Sequence, residues 1–265
     1  MKILFLGDIV ARPGRDATKK ILPDLRKKYS PDLILANGEN ITHGRGMSEE
    51  NINELIKAGV NFFTSGNHIY AHPTILPRLD DKKMPVIRPA NFPPGNPGRG
   101  YHVYETGMMQ SVLIINLMGR VFMNHHYECP FRTLDAIINE HRGVNLSAII
   151  VDIHGEATSE KIGLGRYADG RVTAVLGTHT HVPTKDATIL PNGTAYISDI
   201  GMVGAIDSII GAEKEPIIKG FLTQMPFKYE VPKTGPAVFS AVLIETDNSS
   251  MKAVKIEHIM EEVEI

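Results

Sequence analysis

Short apolar runs, each stopping at a cluster of polar residues, recur along the chain. Ile3-Leu4-Phe5-Leu6 stops at Gly7-Asp8, Leu33-Ile34-Leu35-Ala36 at Asn37-Gly38-Glu39-Asn40, and Val60 to Ser65 at Gly66-Asn67-His68. Ala148 to Ile153 stops at His154-Gly155-Glu156, and Val172 to Leu176 at Gly177-Thr178-His179-Thr180-His181. Runs this short and this uniformly apolar predict strands buried on both faces, as in a parallel sheet. Strands are also predicted over Val112 to Asn116, 186–190, Thr194 to Ser198, 237–246 and 252–260. Pro191-Asn192-Gly193 reads as a hairpin turn, and Asp247-Asn248 separates the last two strands.

Apolar residues fall at helical spacing over 16–28, after a turn marked by Pro13-Gly14 and with Pro23 as a kink. Ser48, with Asn51 behind it, predicts an N-cap for the helix NINELIKAG, which ends near Gly59. Residues 131–142 predict another helix that stops at Gly143. Residues 86–100 (VIRPANFPPGNPGRG) are dense in proline and glycine, but aromatic and apolar residues persist on both sides, which predicts an ordered loop. Helices alternate with strands in the first half and hairpins dominate the second. That is the pattern of an α/β chain in which two sheets pack as a sandwich flanked by helices. No internal repeat divides it, so one domain over residues 1–265 is expected.

Composition adds boundaries. Apolar content of 42% and charged content of 22% are ordinary for a globular chain of 265 residues. A net charge of −2 gives no basic field for a long nucleic-acid footprint or an anionic membrane. The single cysteine, Cys129, permits no intrachain disulfide, which suits a reducing compartment. The opening run is too short for a signal-peptide core, and no later run nears the ~18 apolar residues of a membrane span. A cytoplasmic protein is the expectation.

The polar ends of the five runs carry Asp8, Glu39-Asn40, Asn67-His68, His154 and His179/His181. Loops at the carboxyl ends of strands can aim such groups into one cavity. A pair of histidines alone does not close a metal site, but carboxylate, amide and imidazole donors together have the composition of a two-metal site. Glycine stands beside most of them, which would let the backbone turn sharply and approach an ion. No cysteine is in the set, which argues against a thiolate zinc site.

The ordered blocks GD, GEN, GNH, H and GTHTH resemble those of the calcineurin-like metallophosphoesterase superfamily. The longer strings RPANFP (88–93), HGEATSEK (154–161), GTHTHV (177–182) and GTAYISDIGM (193–202) resemble its bacterial YmdB-like branch of 2′,3′-cyclic-nucleotide phosphodiesterases. The resemblance implies a four-layer αββα fold and two metal ions, iron or manganese. It places Asp8, Asn40 and His181 on one ion, Asn67, His154 and His179 on the other, and Glu39 between them. Val10 stands where the wider superfamily has a ligating histidine, and in this branch an asparagine matching Asn40 fills that place. The implied reaction is hydrolysis of a small cyclic nucleotide by a metal-bridging hydroxide, with 2′,3′-cyclic nucleotides as the first candidates and 3′,5′-cyclic AMP as a further one. Two divalent ions against Asp8 and Glu39 leave net positive charge for a phosphate oxygen.

His68 matches the family histidine that protonates the leaving oxygen; the alternative is a histidine that merely bonds a neighbouring carboxylate. Glu156, two residues past His154, is a candidate to orient an imidazole, with an ordinary surface glutamate as the alternative. Arg88, Asn91 and Phe92 are candidates for the wall of a nucleotide pocket, with loop packing as the alternative. His43, His72, His125 and His126 read as surface residues. The partner expected is a small phosphodiester, and the branch suggests self-association. Two competing readings are a barrel amidohydrolase, which would carry its HxH on the first strand, and a metal-containing protein of RNA turnover or regulation that acts through partner binding.

Overall fold

A computed structural model describes residues 1–107, 110–247 and 249–265. The chain begins with β1 (Lys2–Ile9), buried from Ile3 onward. Its side chains alternate between two apolar clusters, Ile3 and Phe5 in one, Leu4 and Leu6 in the other. That period of two is what a strand needs when both faces are covered. Then follow α1 (Ala11–Tyr29), β2 (Leu33–Asn37), α2 (Glu49–Ala58) and β3 (Phe62–Thr64). After a 3₁₀ turn at Pro73–Arg78 and the proline-rich loop come β4 (Tyr101–Glu105), β5 (Ser111–Met118), α3 (Pro130–Glu140), β6 (Ala148–His154), α4 (Thr158–Ala168) and β7 (Ala174–Thr178). The remainder is β8 (Thr188–Ile189), β9 (Ala195–Ile197), β10 (Met202–Ala205), α5 (Lys214–Thr223), β11 (Pro236–Thr246) and β12 (Ala253–Glu264).

The strands form two six-stranded sheets, ordered β12-β11-β10-β1-β2-β3 and β4-β5-β6-β7-β9-β8. β1, β2 and β3 are parallel, as are β5, β6, β7 and β9, so their carboxyl ends gather along one edge of each sheet. β1 shares one edge between two partners, β11 antiparallel along Lys2–Leu6 and β10 parallel at Asp8–Ile9. Ile3, Phe5 and Leu35 of one sheet meet Ile114, Ile150 and Leu176 of the other in the central core. Leu22 and Leu25 of α1 and Leu55 of α2 cover the outside of the first sheet. Leu134 of α3 and Leu164 of α4 cover the second. This is the four-layer αββα sandwich that the sequence predicts. No helix among the described residues is long and apolar enough to cross a membrane.

The details depart from expectation in several places. Pro13-Gly14 does not form a turn but lies in the first turns of α1, where proline forfeits no helical hydrogen bond. Ser48 caps α2 as predicted, accepting the Asn51 N–H, and Gly59 closes the helix in the left-handed region. The hairpin β8–β9 forms, although β8 is only two residues long. β4, β10, α4 and α5 are elements that the apolar pattern does not predict. Of the predicted break at Asp247-Asn248, Asn248 lies outside the described residues.

Candidate metal centre

The carboxyl ends of β1, β2, β6 and β7 bring Asp8, Glu39, Asn40, His154, His179 and His181 to one place, and Asn67 follows β3 with its Oδ1 buried. Glu39, fully buried, is at the middle. Its Oε1 lies 3.2 Å from His154 Nε2 and 3.1 Å from His68 Nδ1. Its Oε2 accepts the His68 backbone N–H at 3.1 Å. The donor atoms of Glu39, His154 and His179 lie within 4.8 Å of one another. Asp8 Oδ1 lies 3.8 Å from His181 Nε2, and the Asn40 amide is 3.2 Å from that same nitrogen.

Each histidine has one nitrogen engaged outward and the other turned inward. His154 Nδ1 meets the Thr178 hydroxyl at 2.9 Å, and that hydroxyl donates to Asp152 Oδ1 at 2.7 Å. Thr178 must therefore accept from Nδ1–H, which leaves Nε2 as the nitrogen turned toward Glu39 and His179. His181 Nδ1 donates to the Ile210 carbonyl at 2.8 Å, again freeing Nε2. His179 is reversed: Nε2 lies 3.3 Å from Glu156 Oε2, and Nδ1 lies 3.1 Å from His154 Nε2. Glu156 thus reaches an imidazole from outside.

The donor set fits metal ions. Asp8 Oδ1 and Asn67 Oδ1 are buried without a hydrogen-bond partner, a cost a protein bears where something else binds. The facing nitrogens of His154 and His179 cannot both present lone pairs to each other without a cation or a proton between them. Burial disfavours charge on His154, but the carboxylates of Glu39, Asp8 and Asp152 push it up to about 9. Burial also opposes charge on Glu39, but His154 and His68 outweigh it and hold the carboxyl well below its usual range. His179, buried beside His154, is pushed down to about 3. The site is short of positive charge, and a proton on His154 supplies only one unit. Asn40 turns its NH₂ toward Glu39 and His181 and its oxygen toward His68 Nδ1, 2.8 Å away. A half-turn of the amide exchanges the two ends, which ligation through oxygen would require.

The glycines beside the ligands work differently from expectation. None of Gly7, Gly38, Gly66, Gly155 and Gly177 has a positive φ. Gly66 is needed for room, since a Cβ there would lie 2.2 Å from Glu39 Oε2 and 2.3 Å from the His154 ring. The sharp backbone belongs to the ligand candidates themselves: φ is 103° at His179 and 66° at His181.

Several buried polar residues escaped the sequence reading. Asp152 accepts from Asn37 Nδ2 at 3.0 Å and from the hydroxyl of Thr64, besides Thr178. Burial pushes its carboxyl up to about 6. Its spacing from His154, two residues on one strand, puts both side chains on one face and could have signalled the pair. Lys161 of α4 is 1% exposed and pairs with Asp199 at 2.9 Å. Asp199 Oδ2 also accepts the Thr180 N–H and hydroxyl, at 3.1 and 2.8 Å, so the buried pair holds the loop between the two histidines.

Arg88, Asn91 and Phe92 do not line the cavity at the histidines. Asn91 is buried, and its amide bonds the backbone of Met118 and Glu128. Phe92 stacks on Tyr127 with ring centroids 4.9 Å apart, and Arg88 donates to the carbonyl of Pro89. The proline-rich loop is held by packing. His43, His125 and His126 are exposed and His72 lies at the surface as well; none lines the cavity.

Comparison with known proteins shows what the chain is similar to. The chain is 45% identical over 260 residues to a 2′,3′-cyclic-nucleotide 2′-phosphodiesterase of Bacillus subtilis, covering 98% of this chain and 97% of the relative. A crystal structure of a novel phosphatase from Mycoplasma pneumoniae superposes with a TM-score of 0.92 at 38% identity, covering 100% of this chain and 94% of that one. A hypothetical protein from Thermus thermophilus superposes with a TM-score of 0.91 at 42% identity, covering 99% of both chains. The family model described as YmdB-like protein matches residues 4–259. On that match and these relatives, the chain belongs to the YmdB-like protein family.

Proposed function

We propose that the chain is a metal-dependent phosphodiesterase that opens nucleoside 2′,3′-cyclic phosphates. It is an enzyme of the metallophosphoesterase class, and the B. subtilis relative carries the name of this activity over nearly its whole length. The observation that carries the reading is the convergence of ring nitrogens of His154, His179 and His181, together with the orphaned oxygens of Asp8 and Asn67, around buried Glu39. Asp8, Asn40 and His181 would hold one ion, Asn67, His154 and His179 a second, and Glu39 both. Oxygen and imidazole donors without thiolate suit iron or manganese. When bound, such ions bind phosphoryl oxygens and supply a hydroxide nucleophile at neutral pH.

The protein's own contribution is placement and one proton. His68 lines the cavity with Nδ1 held by Glu39, which leaves Nε2 as the nitrogen able to serve a substrate. An expelled sugar oxygen is a poor leaving group and must gain a proton as the bond breaks, so His68 is assigned as the general acid. Glu156, Thr178 and Ile210 fix the rings, so the donors need no rearrangement when substrate arrives.

The test is turnover of 2′,3′-cyclic AMP by the manganese- or iron-loaded protein, with the product identified by chromatography. The expected product is 3′-AMP, from cleavage of the bond to O2′. Faster turnover of a phosphopeptide than of any cyclic nucleotide would overturn the reading.

A further inference from the structure

The lining of the cavity has two chemistries. Glu39, Asn40, His68, His179 and His181 are polar, whereas Ile209, Ile210, Ile217, Phe221, Phe227 and Tyr229 are apolar or aromatic. The cavity measures about 480 Å³, within the range that accommodates a small ligand. A phosphate has no use for the second group of residues. Phe221 is nevertheless 73% exposed, Ile210 51%, and Phe227 and Tyr229 45% each. Large apolar side chains clustered in water at the mouth of a reactive cavity mark what binds there.

This wall is fastened to the polar floor at both ends. The Ile210 carbonyl is the acceptor that fixes His181. Next to it Gly211, with φ of 97°, packs so closely on Val10 that a Cβ would lie 2.6 Å from its Cγ1. At the other end the Tyr229 ring covers Gly44, where a Cβ would lie 2.6 Å from it, on the loop that leaves Asn40. The distance between wall and floor is therefore set by the fold.

We propose that the wall is a nucleobase subsite: the base of a nucleoside cyclic phosphate lies against Phe221, Phe227 and Tyr229 while its phosphate sits at the histidines. The inference rests on the proposed function and assigns the base of that substrate to named residues of the cavity. Ring faces stack on every base, and the wall offers few groups to read a base edge, so the four bases should be accepted with little discrimination.

The experiment compares kcat/KM for 2′,3′-cyclic AMP with that for glycerol 1,2-cyclic phosphate, the same five-membered diester without a base. The wild-type protein is expected to favour the nucleotide by roughly tenfold or more, and Phe221→Ala/Tyr229→Ala to lower that ratio about tenfold. Leu222→Ala, on the same helix but outside the lining, is expected to keep the wild-type ratio. An unchanged ratio in the double variant overturns the proposal. So does conversion of an oligomer to monomers in light scattering with the ratio intact, because a second copy would then be what covers the rings. Hydrolysis of neither diester would instead refute the proposed function. The subsite is then read by calorimetry of 3′-AMP against inorganic phosphate. A preference for 3′-AMP that the double variant loses supports it, and equal binding refutes it.

Discussion

On the floor of the cavity the outward nitrogens of His154, His179 and His181 are tied to Thr178, Glu156 and Ile210, whereas the aromatic rings of the wall stand about half or more in solvent. The floor is assembled from the ends of parallel strands in two sheets, and tertiary hydrogen bonds dictate its geometry. The wall comes from one stretch, residues 209–229, that includes α5 and the chain on either side of it. The difference separates two tasks. Transition-state charge needs donors fixed in advance, while a stacked ring needs only a surface of the right kind. Floor substitutions should therefore act on metal content and turnover, and wall substitutions on choice of substrate.

The sharpest way to break that division is Glu39→Ala. It is expected to lose both metals and to lower turnover by at least about 10³-fold, read by elemental analysis beside kinetics. Two metals retained per chain would remove Glu39 from its central place. His68→Ala should keep both metals and lose roughly 10²- to 10⁴-fold on 2′,3′-cyclic AMP. It should lose far less on bis(p-nitrophenyl) phosphate, whose phenolate leaves unprotonated. Equal losses on the two diesters would assign His68 to phosphate binding.

Thr178→Val probes the layer behind the ligands. It removes the acceptor of His154 Nδ1 and a donor to Asp152. Metal affinity should fall about 10- to 100-fold, with turnover recovered at higher metal concentration. The smallest effect on catalysis is expected from Phe92→Ala, in the proline-rich loop. It should cost about 3–5 kcal/mol of stability by opening a hole beneath Tyr127, and leave KM for the cyclic nucleotide where it was. A raised KM with unchanged melting temperature would return that loop to the substrate pocket.

The floor was legible in the sequence because its residues carry recognisable chemistry at strand ends, and Asp8, Glu39, Asn40, His154, His179 and His181 lie within a few ångströms of one another. The wall was not, because Ile210, Phe221 and Phe227 look like ordinary core residues until the fold leaves them uncovered. Arg88, Asn91 and Phe92 misled for the converse reason: they are polar or aromatic residues in a loop that turned out to be packed. α4 was missed because Gly163 and Gly165 interrupt its pattern. Gly165 is there for the Tyr196 ring, which a Cβ would meet at 2.4 Å. β10 is four residues long and contains glycine, so its place beside β1 comes from pairing, not propensity.

The backbone at His179 and His181 has a consequence for how this chain could change over generations. Side chains other than glycine pay of order 1–3 kcal/mol to hold such conformations. Glycine at either position would relax the loop and remove a proposed metal ligand at once, so those variants should be inactive but more heat-resistant in the metal-free form. A lineage released from the need for catalysis would then gain stability by losing these two histidines first.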